Sequence, residues 1–352
     1  MAGRAESGSG GGVAGAGRRL TPGMLAKQSS RMVRSLPGLV AVCLAAACGG
    51  GPPPPPATPA PAISVQPPVP TAVTAPLHAV RVNGTTLSYR LVGDSGPPVV
   101  FVHGSLKDLG DWNAQVAAFA ETHRVLVYSR RYHPPNPPQN DVQAYSPMLH
   151  AEDLAALLLT LDLAPAHVVG SGYGAYTALV LALEHPALVR SLVLGEAPVM
   201  PLLTRTPEAD SIRRAFYATA LDPARAAFAR GDSVAALRAF LDGVSGRSGS
   251  FDSLPAPARA AILAHSFEMR HEMLANRDLY MPPLTCADLG RLHTPVLLLS
   301  AERSARMFHL ITDELARCMI NDTLITVPGG HAMHAANPPY YNQVVLRYLV
   351  TH

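Results

Sequence analysis

Charge is scarce in this sequence. Only 15% of its 352 residues are charged and the formal balance is +3. The basic residues are dispersed, with no Lys/Arg block interleaved with aromatics, so a nucleic-acid partner is not expected: neutralising phosphates takes clustered cations. Long apolar runs are also missing. No stretch reaches the roughly eighteen apolar residues that cross a bilayer, so a spanning helix is not expected. No metal-ligand set stands out, and no cofactor is expected. What the chain has in quantity is Ala, Val, Leu and proline, the last numbering 34. That composition suits a globular α/β protein with a low-complexity arm. About seventy-five amino-terminal residues are not domain-like, which leaves enough chain for one core carrying an insertion.

Residues 1–48 read as a targeting segment. Lys27, Arg31 and Arg34 precede an apolar run over 39–47 that ends at Cys48-Gly49-Gly50, the charge, apolar core and small-residue order of a secretory signal. The order also resembles the lipobox of bacterial lipoproteins, which implies lipidation of Cys48 and an exported, membrane-anchored chain. Residues 49–76 include the proline run 52–56. A polyproline II spacer is expected there, because such a segment buries too little apolar surface to fold.

From residue 77 the pattern alternates strand and helix. Runs 80–82 and 86–91 flank Asn83-Gly84, a hairpin signal and an antiparallel start. Strands follow at 98–105, 124–128, 167–171, 189–194, 295–300 and 323–327, separated by helical patterns such as 112–121, 146–163 and 307–318. The implied fold class is α/β, a mostly parallel central sheet flanked by helices. Between 201 and 290 the pattern is wholly helical, over 212–221, 223–230, 233–244 and 258–274. It divides the core into 77–200 and 291–352. A proline-rich loop after 124–128 carries Arg130 and Arg131 beyond the carboxyl end of a strand, where open α/β sheets bind ligands. His150 and Asp153 fall on the polar side of 146–163, with no chemical role expected.

The stretch that organises the chain is His167-Val168-Val169-Gly170-Ser171-Gly172-Tyr173-Gly174-Ala175-Tyr176: an apolar strand, a glycine-rich corner, then a helix. It resembles the nucleophile elbow of the α/β-hydrolase superfamily, Gly-x-Ser-x-Gly. Aligned on Gly170 and Gly174, the serine position is Gly172, which accepts a strained φ but brings no oxygen; Ser171 is the neighbouring hydroxyl. The same residues satisfy a second pattern. Gly170-x-Gly172-x-x-Ala175 with Glu196 on the next strand matches a dinucleotide fingerprint, although that motif normally opens its sheet.

The resemblance extends over 78–352, because the further hydrolase signals occur in order. His103-Gly104-Ser105 matches the loop ahead of the oxyanion site, implying the N–H groups of Ser105 and Tyr173 as oxyanion donors. Where the family often has its acid stands Ser304, so the role moves to Glu196, with Glu302 in reserve. Pro328-Gly329-Gly330-His331-Ala332-Met333-His334 matches the histidine loop, implying His331 as the base ahead of His334. The helical segment 201–290 corresponds to a cap, with Phe216, Phe240, Met269 and Met273 as pocket lining or cap core. Cys286 and Cys318 flank one strand, and either a disulfide or two buried thiols is expected. Three functions remain open: an exported hydrolase of small ester-like substrates, a degenerate hydrolase that binds a small ligand, and a nucleotide-dependent enzyme.

Overall fold

The computed structural model describes residues 75–139 and 145–352. The targeting segment with Cys48, and the linker as far as residue 74, lie outside the described residues. Eight strands make one sheet: β1 (His78–Val82), β2 (Thr85–Val92), β3 (Pro98–Val102), β4 (Arg124–Tyr128), β5 (Ala166–Ser171), β6 (Val189–Gly195), β7 (Val296–Ala301) and β8 (Asp322–Val327). Their order is β1-β2-β4-β3-β5-β6-β7-β8. Asn83 and Gly84 join β1 to β2 with φ of 43° and 73°, the paired left-handed conformation that a two-residue turn needs between right-twisting strands. β2 is antiparallel to β1 and β4. The strands from β4 to β8 are parallel, as helical connections require. The carboxyl ends of β3, β5, β6 and β7 therefore lie side by side, and their loops meet along one edge.

Successive strand residues point to opposite faces, and both faces are buried. Val99, Phe101, Val125, Val127, Val169, Val193, Leu297 and Leu299 belong to one apolar layer. Val100, Val102, Leu126, Val168, Leu192, Leu194 and Leu298 belong to the other. This is why the central strands read as continuous apolar runs rather than as alternating ones. The helices in chain order are α1 (Asn113–Ala120), α2 (Pro147–Thr160), α3 (Tyr173–Glu184), α4 (Pro207–Phe216), α5 (Asp222–Ala229), α6 (Ser233–Ser245), α7 (Ala256–Ala264), α8 (Ser266–Leu274), α9 (Arg277–Tyr280), α10 (Cys286–Leu289), α11 (Arg306–Cys318), α12 (Met333–Ala336) and α13 (Pro338–Val350). Tyr341, Val345, Tyr348 and Leu349 of α13 join Val116 and Phe119 of α1 in the first layer. Residues of α2, α3 and α11 join the second.

Several expectations change at this level. The single helix over 258–274 is two helices, because His265 leaves helical geometry at φ −93°, ψ 15° and turns its ring to Glu268 and, at 3.8 Å, to Asp108. The helix expected over 212–221 starts earlier, where Thr206 caps Ala209 N–H and Pro207 supplies the first turn. It ends in a π turn over Tyr217–Leu221. His150 and Asp153 are not on a solvated face; each is 1% exposed. Arg131 donates Nε and Nη2 to Asp153 Oδ2 and Oδ1, both at 2.7 Å, and the Tyr145 ring covers His150 at 4.6 Å. The loop after β4 has closed over the polar side of α2. Cys286 and Cys318 are bridged, with Cα atoms 4.9 Å apart, so α10 at the end of the inserted helices is tied to α11 of the core.

Candidate active site

The corner between β5 and α3 is Gly172, at φ 54° and ψ −124°, a conformation that strains any residue with a Cβ. Its N–H is held by Gly195 O at 2.8 Å. Close approach explains a second glycine: a Cβ on Gly174 would stand 2.2 Å from Val102 O and 2.4 Å from His103 O. β3 thus presses directly on the start of α3. A Cβ on Gly172 would instead meet His331 Nε2 at 3.2 Å. A side chain at this corner would therefore point at the histidine. Ser171, one residue earlier, borders the same cavity and is 6% exposed. Its hydroxyl makes no hydrogen bond among the described residues.

His331 sits in the loop after β8, stacked on Phe308 of α11 with ring centroids 4.1 Å apart. Its Nδ1 lies 2.7 Å from Glu196 Oε2. That contact puts the proton on Nδ1 and leaves the Nε2 lone pair facing Gly172. Glu196 follows β6 at a φ of 47° and is 1% exposed. Ala301 N–H donates to its Oε1 at 2.8 Å, and the Ser304 hydroxyl donates to its Oε2 at 2.7 Å. Ser304, which cannot replace the acid, instead helps hold the carboxylate that does face the histidine. The same contacts weigh against the nucleotide pattern, since both oxygens that would take a ribose are already engaged. Glu302 points elsewhere: its side chain is 62% exposed and 3.8 Å from Arg303.

The loop after β3 supplies the opposite wall. Arg130 is fully buried; its Nε donates to His103 O at 2.9 Å and its Nη2 to Gly104 O at 3.1 Å. His103 accepts Arg130 N–H at Nε2 and so donates from Nδ1 to Gly104 O. Burial, reinforced by the Arg130 charge, pushes the His103 pKa well below the usual histidine range and keeps the ring neutral. With Gly104 O held on the Arg130 side, a planar trans peptide turns Ser105 N–H the other way. Gly104, Ser105, Gly172 and Tyr173 all border the cavity. Ser105 N–H and Tyr173 N–H donate to no protein acceptor among the described residues, and Tyr173 opens a helix whose first N–H groups have no partner in the helix.

The cavity measures about 920 Å³, within the range that holds a small molecule. Phe216 and Phe240 line it together with Val244, Ile262, Met307 and Phe308. Met269 and Met273 are buried in the core and are not among its lining residues. The described residues of the loop carrying Arg130 and Arg131, as far as residue 139, do not border it: Asn136 folds them back, donating to the carbonyls of Ser129 and Arg130 and accepting Ser88 N–H. His334 is 2% exposed and pairs through Nε2 with Asp111 at 3.0 Å. Burial alone would raise the Asp111 carboxyl, but His334 and Lys107 outweigh it and hold the carboxyl below its usual range. His334 is thus a neighbour of the site with a carboxylate of its own. Sequence reasoning missed Glu272 and Tyr280, which contact this wall from the inserted helices; nothing in the helical periodicity of α8 distinguishes Glu272 from a solvated residue.

This arrangement, a parallel sheet with a glycine corner, a His–carboxylate pair and a facing backbone loop, defines an α/β-hydrolase site. The sequence pattern of the alpha/beta hydrolase fold family matches residues 97–337, and the chain belongs to that family. It is 31% identical over 124 residues to the uncharacterized hydrolase YraK of Bacillus subtilis, covering 35% of this chain and 45% of that protein. It is 37% identical over 112 residues to the mouse (Mus musculus) sn-1-specific diacylglycerol lipase ABHD11, covering 31% and 36%. The chain thus spans less than half the length of these curated relatives. The structure of carboxylesterase CesB from Bacillus subtilis superposes with a TM-score of 0.62 at 18% identity, over 80% of this chain and 93% of that one, a likeness of fold.

Proposed function

We propose that this chain is an exported hydrolase of small ester-like substrates in which the His331–Glu196 pair acts on water directly. The observation that carries the reading is the line Glu196–His331–Gly172: Nδ1 is bound at 2.7 Å, and Nε2 lies 3.2 Å from the position a Cβ would take. With no side-chain oxygen at that corner, the group His331 deprotonates is a water molecule. The water oxygen bonds to the ester carbonyl carbon as its proton passes to Nε2, and Glu196 stabilises the imidazolium. The negative charge on the carbonyl oxygen is met by Ser105 and Tyr173 N–H. Collapse breaks the bond to the alcohol oxygen, which takes the proton back from His331. No acyl-enzyme forms.

The relative named as an sn-1-specific diacylglycerol lipase supports the ester class, and the apolar cavity supports substrates with an apolar acyl or alcohol part. Export is supported by the signal-like order before Cys48 and by the Cys286–Cys318 bridge, which belongs in an oxidising compartment. A lipid on Cys48 would anchor the mature chain to a membrane, with the proline-rich segment as spacer.

The test is turnover of short-chain 4-nitrophenyl esters, paired with intact-mass analysis after fluorophosphonate treatment. His331→Ala should lose at least about a hundredfold in rate, Ser171→Ala should stay near wild type, and no adduct should form. A fluorophosphonate adduct on Ser171, with turnover lost in Ser171→Ala, would make that serine the nucleophile. Absent turnover with retained binding of an apolar ligand would favour the second reading, a ligand binder, which the lack of a side-chain oxygen at Gly172 already supports.

A further inference from the structure

One short segment of the inserted helices grips both candidate oxyanion residues. Glu272 of α8 is 1% exposed and accepts three hydroxyls: Ser105 Oγ at 2.7 Å and Tyr280 OH at 2.8 Å on Oε1, and Tyr145 OH at 3.1 Å on Oε2. Tyr173 is held from the same side. Its hydroxyl donates to Tyr280 O at 3.1 Å, and its ring stacks on Tyr280 with centroids 5.3 Å apart and planes 10° apart. A buried carboxylate is tolerated only where donors and a counter-charge surround it. Here Arg130 is the counter-charge, bonded to the same Tyr145 hydroxyl at 3.2 Å. That guanidinium also holds Gly104 O, so the Gly104–Ser105 peptide is fixed at its carbonyl by Arg130 and at the next side chain by Glu272. Two anchors on opposite sides of one peptide determine where its N–H points.

We propose that Glu272 is a positioning residue for the reaction: acting through the Ser105 hydroxyl, it aims Ser105 N–H at the substrate oxygen, so that the inserted helices complete the oxyanion site. The proposal rests on the hydrolase reading for its chemistry. It does not need turnover to be tested, because an alkyl methylphosphonate monoanion mimics the tetrahedral oxyanion and its binding can be measured by calorimetry. An ordinary packing contact would alter melting temperature and leave this selectivity alone.

Ser105→Ala removes the hydroxyl and keeps the N–H, and Glu272→Gln keeps the shape; both are read beside Glu272→Ala in case that variant does not fold. Each of the first two should weaken phosphonate binding on the order of tenfold while leaving the affinity for the neutral alcohol of the same chain length unchanged. With an ester, kcat should fall and KM stay. The double variant Ser105→Ala/Glu272→Gln should be no weaker than the weaker single one, because both act through one contact. Phosphonate affinity within twofold of wild type in both single variants overturns the assignment, as do losses that simply add in the double variant. The expected binding pattern without ester turnover keeps the assignment and overturns the hydrolase reading alone. A wild-type protein that binds no phosphonate overturns both.

Discussion

At Gly172 a strained corner that the family fills with a serine is filled by the residue that adopts φ 54° most readily. The groups proposed to act there are otherwise present: His331 Nε2 lies 3.2 Å from the position a Cβ would take, Glu196 holds its Nδ1, and Ser105 and Tyr173 border the cavity. Gly172→Ser is therefore expected to create an acyl-transfer nucleophile. It should raise turnover of 4-nitrophenyl esters at least about tenfold and introduce fluorophosphonate labelling at that position. The positive φ costs a side-chain-bearing residue about 1–3 kcal/mol, so a fall of a few degrees in Tm should accompany the gain. Unchanged turnover and no labelling would show that the corner does not address His331 as the geometry states. The glycines were legible in the sequence because spacing alone marks the turn. That Ser304 binds Glu196 was not, since the two residues belong to separate strand ends 108 positions apart.

Among the elements, α11 connects the site to the inserted helices. Its first turn carries Met307 and Phe308, which line the cavity, and Phe308 stacks on His331. Its last residue, Cys318, is bonded to Cys286 of α10 across a sequence separation of 32. Closing a loop of that length removes unfolded-chain entropy worth about 3–4 kcal/mol. Cys286→Ala/Cys318→Ala should lower the unfolding free energy by about that amount in a urea titration, with ester turnover at low denaturant near wild type. An unchanged midpoint would mean the bond does not form in the folded protein. The helix boundaries here show where periodicity misleads. Apolar spacing predicts one helix over 258–274, while the break at His265 arises from its contacts with Glu268 and Asp108, the latter on the loop beyond β3.

Over the whole molecule, several histidines are buried as neutral rings. His103, His133 and His150 are held well below the usual range, first by burial and then by the Arg130 charge. Burial, with His123 and Arg190 nearby, pushes His167 down to about 4. Each folded-state pKa lies below the unfolded value of 6.5, so the unfolded chain binds more protons below that pH. The stability these groups contribute is present above pH 6.5 and is lost as pH falls, for His167 between 6.5 and about 4. Tm is expected to drop steeply from about pH 7 to about pH 4.5. His167→Gln should flatten part of that drop, and equal slopes for the two proteins would remove His167 from the account.

The sequence by itself determined the parallel core, the hairpin start, the glycine corner and the order of the loops that build the site. These are local properties: apolar runs, turn residues and spacings need no partner to be recognised. Tertiary structure decided between Glu196, which the sequence put first, and Glu302, and it alone paired His334 with Asp111 and buried Arg131 with Asp153. It also brought Glu272 to Ser105 across 167 residues. In each case a polar side chain gains its role by losing water to a partner from another element, and the distance along the chain between such partners carries no periodic signal.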